Sequence, residues 1–302
     1  MPATDLMAAI AAVLGVRVRA NEPLARHTSL RIGGPADLLA QPDTPDELAA
    51  VVRAAAQHDA VLTVLGGGSN LLVGDRGIRG VVVKLGAGFR RIVWDGERVR
   101  AGAAVQMGRL ARETAGRGLA GLEHAEGIPG TVGGAVRGNA GAYGGDVASV
   151  LEAVDGVDAE GGLRALPRGA LAFDYRRALL PAGLVVTGAV FRLRREDAAG
   201  VMARLEAARA RRMAAQPQGV STAGSIFKNP RGDHAGRLIE AVGLKGRRIG
   251  RARISDRHAN WIVNEGRALA ADVQALMAMA QRAVWERSGV WLEPEVRLVG
   301  SW

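Results

Sequence analysis

Two glycine-dense segments constrain this chain more than any other feature: residues 65–75, LGGGSNLLVGD, and residues 127–145, GIPGTVGGAVRGNAGAYGG. Without a Cβ, glycine lets main-chain N–H groups approach a ligand or another segment closely, and it tolerates positive φ. The first segment follows a buried-strand run, AVLTVL at 60–65, which itself follows TPDELAAVVRAAAQHD at 44–59. There Thr44 reads as an N-cap, Pro45 fills the first turn and Glu47 closes a capping box, while Leu48, Val51, Val52 and Ala55 share one face. Helix, strand and glycine turn in that order suit main-chain binding of an anion such as a diphosphate, with a plain strand-to-strand turn as the alternative. No Lys-Ser or Lys-Thr follows the glycines, so a nucleotide-hydrolysing P-loop is excluded. GRGLAG at 116–121 spells G-x-G-x-x-G, but it ends a helical pattern (106–115) instead of joining a strand to a helix, which rejects a Rossmann fingerprint. The second segment, interrupted by Ile128, Pro129, Val132, Asn139 and Tyr143, is far longer than a turn needs. It predicts a shaped loop able to wrap an extended cofactor through main-chain groups.

Around these segments the chain alternates strands and helices. A short amphipathic helix opens it, and no basic residue precedes the first apolar run as an export signal would require. Strands are predicted at 80–85, 150–157 and 184–193. A hairpin joins FRRIVW (89–94) to ERVRAGAAV through an Asp95-Gly96 turn of type I′. An arginine-rich helix spans 198–215 and ends at Gln216-Pro217; helices follow at 235–242 and 271–288, and a closing strand at 290–299 carries Glu293, Glu295 and Arg297 on one face. The mixture is α+β, with a boundary near residue 200.

Composition removes several classes. At 302 residues and 48% hydrophobic the chain can bury more than one core, yet no window offers 18 uninterrupted apolar residues, so no membrane span is expected. Cysteine is absent, which excludes disulfides, thiolate metal sites and cysteine nucleophiles, and five scattered histidines show no metal-ligand spacing. A net charge of +10 comes mainly from dispersed arginines, with only Lys84, Lys228 and Lys245 as lysines and 4% aromatics. That is no single-strand nucleic-acid platform; it suits phosphate-bearing small molecules or a solvated surface. Ser225 lies far from His234 and His258 and in no G-x-S-x-G elbow, so a hydrolase triad is not expected.

Eight segments, collinear over about residues 24–300, carry a resemblance: HTSLRIGGPAD (27–37), LGGGSNLLVGD, GIPGTVGGAVRGNAGAYG, FDYRR (173–177), AGSIFKNP (223–230), AGRLIEAVGLKG (235–246), SDRHANWIVN (255–264) and LEPEVRLVG (292–300). Together they resemble the UDP-N-acetylenolpyruvoylglucosamine reductase family. The resemblance implies a vanillyl-alcohol-oxidase-type FAD-binding fold of two α+β subdomains, 1–88 and 89–197, with a C-terminal α+β substrate domain, 198–302. It implies noncovalent FAD and NADPH, a UDP-sugar substrate, a cytoplasmic setting, and no nucleic-acid, membrane or metal partner; a monomer is compatible with it. Carried over motif by motif, the cofactor-binding residues are Arg31, Gly66, Gly67, Gly68, Ser69, Asn70, Gly127, Ile128, Pro129, Gly130, Thr131, Gly133, Gly134, Asn139, Gly141 and Tyr143. The catalytic residues are Arg176 to polarise the substrate carboxylate, Ser225 to donate a proton and Glu295 to assist. Tyr175, Lys228 and Asn229 are substrate-binding candidates, and Arg209, Arg211 or Arg212 either reach phosphate or form a solvated helix face.

The chain departs from the family pattern in carrying Ala178 where a serine is usual and Arg137-Gly138 before Asn139. It also lacks the extra tyrosine-bearing loop of one subclass, so it resembles the shorter, second type. Without the resemblance, Ser225 reads as a loop-capping residue and Glu295 as a surface ion-pair partner. A flavin-dependent alcohol or lactone oxidase of the same fold, or a basic nucleic-acid-binding module, would then be the competing functions.

Overall fold

A computed structural model describes residues 3–302. The chain divides into two units, one formed by Met1–Ala20, Leu38–Gly67 and Gly80–Arg212, the other by Asn21–Asp37, Gly68–Arg79 and Met213–Trp302.

The first unit holds two cores. In one, helix α1 (Ala3–Leu14) buries Leu6, Ile10 and Leu14, and helix α2 (Pro45–Gln57) buries Leu48, Val51, Val52 and Ala55, against Leu38, Ala40, Val81 and Val83. The capping signals are used: Thr44 Oγ1 accepts from Glu47 N at 3.2 Å, and the Glu47 carboxylate accepts from Asp43 N and from Arg17. Strand Leu62–Val64 pairs parallel with Ile78–Val83. The second core lies on an antiparallel sheet ordered Leu163–Pro167, Leu151–Val157, Val185–Arg192, Arg98–Gly102, Ile92–Asp95. Helices α3 (Met107–Ala115), α4 (Val132–Arg137) and α5 (Ala198–Ala215) contribute Leu110, Val136 and Leu205 to it.

In the second unit an antiparallel sheet runs Ser221–Ser225, Trp261–Asn264, Ala252–Ile254, Arg248–Ile249, and helices α6 (Ala235–Ala241) and α7 (Ala270–Ser288) pack in the same core. Leu71–Val73 pairs parallel with Arg297–Val299. Asp75, the last residue of LGGGSNLLVGD, caps α7 by accepting from Ala270 N at 2.8 Å and Ala271 N at 3.1 Å.

Three expectations need correction. The hairpin turn is shifted by one residue: Asp95 pairs with Arg98, leaving Gly96 and Glu97 as the loop, and only Gly96 has positive φ (58°). That is the type II′ pattern, with glycine first, not type I′. The segment at 290–299 is strand only over Arg297–Val299, with one isolated bridge, Phe227 to Pro294, before it. Pro294 has no N–H to give a ladder, so the alternating face does not form. The second glycine segment is not wholly a loop, because α4 lies within it. Val132, Ala135 and Val136 bury one face of that helix, and this outweighs the cost of Gly133 and Gly134.

Candidate active site

Main chain in the left-handed region marks several of the candidate residues. Among the described residues, those other than glycine with positive φ are Asn21, Arg31, Asp59, Asn139, Tyr143, Arg176 and Arg267. Arg31, Asn139, Tyr143 and Arg176, at +55°, +41°, +53° and +57°, are all residues singled out from the sequence. A Cβ makes this conformation costly, least for Asn, so it persists only where surrounding contacts impose it.

Asn139 supplies those contacts. It is 3% exposed. Its Nδ2 donates to Asp146 Oδ2 at 3.1 Å and to the Asp174 carbonyl at 3.0 Å, and its Oδ1 accepts from Ala148 N at 3.0 Å. One side chain therefore ties the loop bearing Tyr143 to the hairpin Ala172–Asp174/Arg177–Leu179. In that hairpin Asp174 pairs with Arg177, so Tyr175 and Arg176 are its two turn residues. Positive φ at the second of them is the type II requirement, and Asp174 Oδ1 steadies the turn by accepting from Tyr175 N at 2.6 Å. The result is a guanidinium at the tip of a short, fastened hairpin.

The two glycine segments, distant in sequence, meet in this unit. A Cβ on Gly67 would stand 2.8 Å from Gly130 Cα, and one on Gly66 would stand 2.9 Å from Thr131 Oγ1. The second segment is moored beside the sheet, with Met107 N donating to Gly130 O at 3.0 Å, Val132 N to Val105 O at 2.8 Å and Gly133 N to Ala103 O at 2.9 Å. Glycine at 66 and 67 lets the two segments approach this closely, and paired main chain of this kind can bind a flavin diphosphate and ribityl chain through its N–H groups, so these residues fit FAD.

Two basic side chains here are shielded from solvent: His124, buried, which carried no signal in the sequence, and Arg212 on α5, half-buried and one of the arginines the resemblance pointed to. A Cβ on Gly145 would lie 2.6 Å from His124 Nδ1, which puts the imidazole directly beneath the Tyr143 loop. Burial pulls the pKa of His124 down, Asp146 and Glu123 oppose this, and Arg176 adds to it.

In the second unit, strand Ser221–Ser225 pairs Thr222 with Val263 and then Ser225 with Trp261, so the register slips before the serine. Such a bulge re-aims the side chain that follows it. Buried Asn260 braces the next residues, its Oδ1 accepting from Phe227 N at 2.9 Å and its Nδ2 donating to Phe227 O at 2.8 Å. The Ile226 carbonyl accepts from Glu295 N at 2.8 Å and Val296 N at 3.2 Å, while Asn70 Nδ2 donates to Glu295 O at 3.1 Å. Ser225, Glu295 and Asn70 are thus brought onto adjoining main chain. Ser29 Oγ donates to Thr222 O at 2.7 Å and Ser29 N to Gly68 O at 3.0 Å, which brings the segment carrying Arg31 alongside. Lys228 Nζ pairs with Glu293 Oε1 at 2.6 Å, and Asn229 Oδ1 accepts from Ala235 N at 3.1 Å, satisfying an amide at the start of α6. Of the sequence candidates, Gly66, Gly67, the 127–143 set, Tyr175 and Arg176 belong to the first unit. Arg31, Gly68, Ser69, Asn70, Ser225, Lys228, Asn229 and Glu295 belong to the second.

Glycine-lined main chain in a sheet-and-helix frame of this kind defines a flavin-dependent oxidoreductase, and the profile of an FAD binding domain matches residues 36–166. The profile described as UDP-N-acetylenolpyruvoylglucosamine reductase, C-terminal domain, matches residues 216–299. The chain is 47% identical over 281 residues, 93% of its length and 88% of the relative's, to UDP-N-acetylenolpyruvoylglucosamine reductase of Anaeromyxobacter sp. (strain Fw109-5). With the Bacillus subtilis (strain 168) protein of that name it shares 42% identity, covering 94% of this chain and 95% of the relative. The crystal structure of the Thermus caldophilus reductase superposes with a TM-score of 0.80 at 38% identity, covering 93% of this chain and 97% of that one. The chain belongs to the UDP-N-acetylenolpyruvoylglucosamine reductase family, and its fold is the vanillyl-alcohol-oxidase-type flavin fold with a C-terminal α+β domain.

Proposed function

We propose that this protein reduces UDP-N-acetylglucosamine enolpyruvate to UDP-N-acetylmuramate with NADPH and bound FAD, in the synthesis of peptidoglycan precursors. Residues 1–88 and 89–197 are taken as the two flavin-binding subdomains and 198–302 as the substrate domain; three separate hydrophobic clusters support three parts, with α5 packing Val201 and Leu205 into the cluster of the second and Leu30, Ile32 and Leu72 lying in that of the third. The setting is cytoplasmic: among the described residues no helix is long and apolar enough to cross a membrane, and a soluble nucleotide-sugar is the substrate. A monomer is sufficient for the chemistry.

When bound, FAD supplies to the vinyl carbon of the substrate a hydride taken from NADPH. Gly66, Gly67, Gly68, Ser69, Asn70 and the 127–134 segment hold its diphosphate and ribityl chain through main-chain groups, with Arg31, Asn139, Gly141 and Tyr143 beside them. Negative charge then develops at the substrate's C2 and in its carboxylate, and Arg176 offsets it. Ser225 delivers a proton to C2. A hydroxyl can act so against a strongly basic, correctly oriented carbanion. Glu295 assists at the carboxylate or in returning the proton, and Tyr175, Lys228 and Asn229 contact the nucleotide-sugar.

The observation that carries the reading is the Arg176 turn, a cation held at φ +57° by a buried asparagine in a chain of this family. The test is the absorption spectrum of purified protein: flavin bands, bleached by NADPH, restored by the enolpyruvyl substrate. Ser225→Ala is expected to lose about 10²-fold or more in kcat, the scale of general acid catalysis. Wild-type turnover in that variant would remove the serine from the mechanism.

A further inference from the structure

Strand Trp261–Asn264 begins with an indole whose N–H nothing in the protein uses. Trp261 is 8% exposed, and its Nε1–H is buried with no hydrogen-bond partner among the described residues. A buried donor left unpaired is costly, and in a folded protein it calls for a reason. The placement of this one supplies it. Ile262 lies in the core with α6 and α7, so by alternation Trp261 points to the opposite face of the sheet. Ala223 and Ile226 lie in that same core, and the slipped register between Thr222 and Ser225 leaves Ser225, one residue before Ile226, turned away from it. Ser225 and Trp261 are direct partners across the two strands. Ile226 N donates to Asn260 O at 2.9 Å, which makes them a non-hydrogen-bonded pair, the kind whose side chains stand closest. Among the described residues no group donates to the Ser225 hydroxyl.

We propose that Trp261 is a positioning residue for proton transfer, its indole N–H donating to the oxygen of Ser225 as that oxygen becomes negative. This rests on the function proposed above, in which Ser225 protonates the substrate's C2. In that step the Ser225 O–H bond breaks, the electron pair of the C2 carbanion forms the new C–H bond, and an alkoxide remains on Ser225 until water returns a proton. An alkoxide is a strong base, and the cost of forming it is what limits serine as an acid. A fixed, desolvated N–H beside the oxygen lowers that cost, because its hydrogen bond strengthens as the charge develops and needs no reorganisation. The donor left over in the resting protein is thereby used in the transition state. Phenylalanine at 261 would pack on the same face but could not do this.

The test uses flavin-loaded full-length enzyme with Trp261→Phe and with Trp261 replaced by its benzothiophene analogue, which keeps the ring and puts sulfur in place of the N–H. In both, reoxidation of the NADPH-reduced flavin by the enolpyruvyl UDP-sugar is expected to slow by about 10²-fold, the scale of a lost oxyanion donor, while KM changes far less. Flavin content and the rate of bleaching by NADPH should match wild type. The urea midpoint with the benzothiophene analogue should be no lower, since the group removed has no partner in the resting protein. A tryptophan that only packs would instead leave the analogue fully active. In a Ser225→Ala background Trp261→Phe should slow the reaction no further, because both changes act through one oxygen. A loss smaller than about tenfold with the analogue, or a full second loss in Ser225→Ala, overturns the inference. Wild-type enzyme that bleaches with NADPH but ignores the enolpyruvyl substrate overturns the proposed function and this inference together, whereas active wild type, an impaired Ser225→Ala and an unaltered Trp261→Phe overturn the inference alone.

Discussion

Asn139 and His124 show how single buried polar residues govern this site. Replacing Asn139 with Leu leaves the Ala148 N–H and the Asp174 carbonyl without that partner. A buried group stranded in this way costs about 1–3 kcal/mol, so urea denaturation should show a loss of that size. Because the same side chain fastens the Arg176 hairpin, kcat should fall in the variant even where it remains folded; full activity in a destabilised Asn139→Leu would uncouple the hairpin from turnover. His124 makes a pH-dependent contribution whose sign follows from its depressed pKa. The unfolded chain takes up a proton below about 6.5 while the folded chain resists it, so this part of the stability is intact above that pH and is lost as pH falls toward the folded value. Phe at 124 should flatten the acid-side decline measured by denaturation from pH 7 to 5. His258, shifted the same way by burial and by Lys245, should retain the rest of it. An identical slope in His124→Phe would mean that the imidazole is not held neutral.

Elements were legible in the sequence where local chemistry and burial agree. Helix α2 carries its N-cap, its proline and its apolar face in order, and α5 and α7 begin and end within a residue of where periodicity puts them. Thr44→Ala should cost about 1 kcal/mol of stability. Glu47 at the same helix start is held at a pKa of about 2, first by Arg17 and then by backbone amides of Asp43 and Thr44. Its contribution is therefore present above about pH 4.5 and disappears as pH falls toward 2, and Glu47→Gln should be less stable at neutral pH but no less stable near pH 2. Elements were illegible where tertiary contact overrides local preference. Glycine content hides α4, whose stability comes from burial of its apolar face, and the slipped register before Ser225 has no local signature. Candidate residues followed from motifs; the bracing role of Asn260 and the burial of His124 did not, because they depend on which backbone those side chains lie against.

At the scale of the whole chain, surface charge contributes little to holding the fold. Pairs such as Arg204 with Glu123 and Arg164 with Asp158 are largely exposed on the arginine side, and exposed pairs of this kind are worth about 0–1 kcal/mol. Connectivity matters more. The chain passes between the units after Ala20, Asp37, Gly67, Arg79 and Arg212, so neither unit is one continuous polypeptide able to fold before the other is made. Unfolding either unit removes the fixed ends of segments belonging to the other, and one cooperative transition is expected instead of the separate steps of domains strung in series. FAD binds only the folded chain, so at about 100 times its Kd it should stabilise by roughly 2.7 kcal/mol, raising the midpoint by several degrees. Calorimetry with and without added FAD should show a single peak moving as a whole, with release of flavin fluorescence tracking it. Two resolved peaks, of which FAD moves one, would show that the interleaved segments do not couple the units, and a peak that FAD leaves in place would show that the glycine segments hold no flavin.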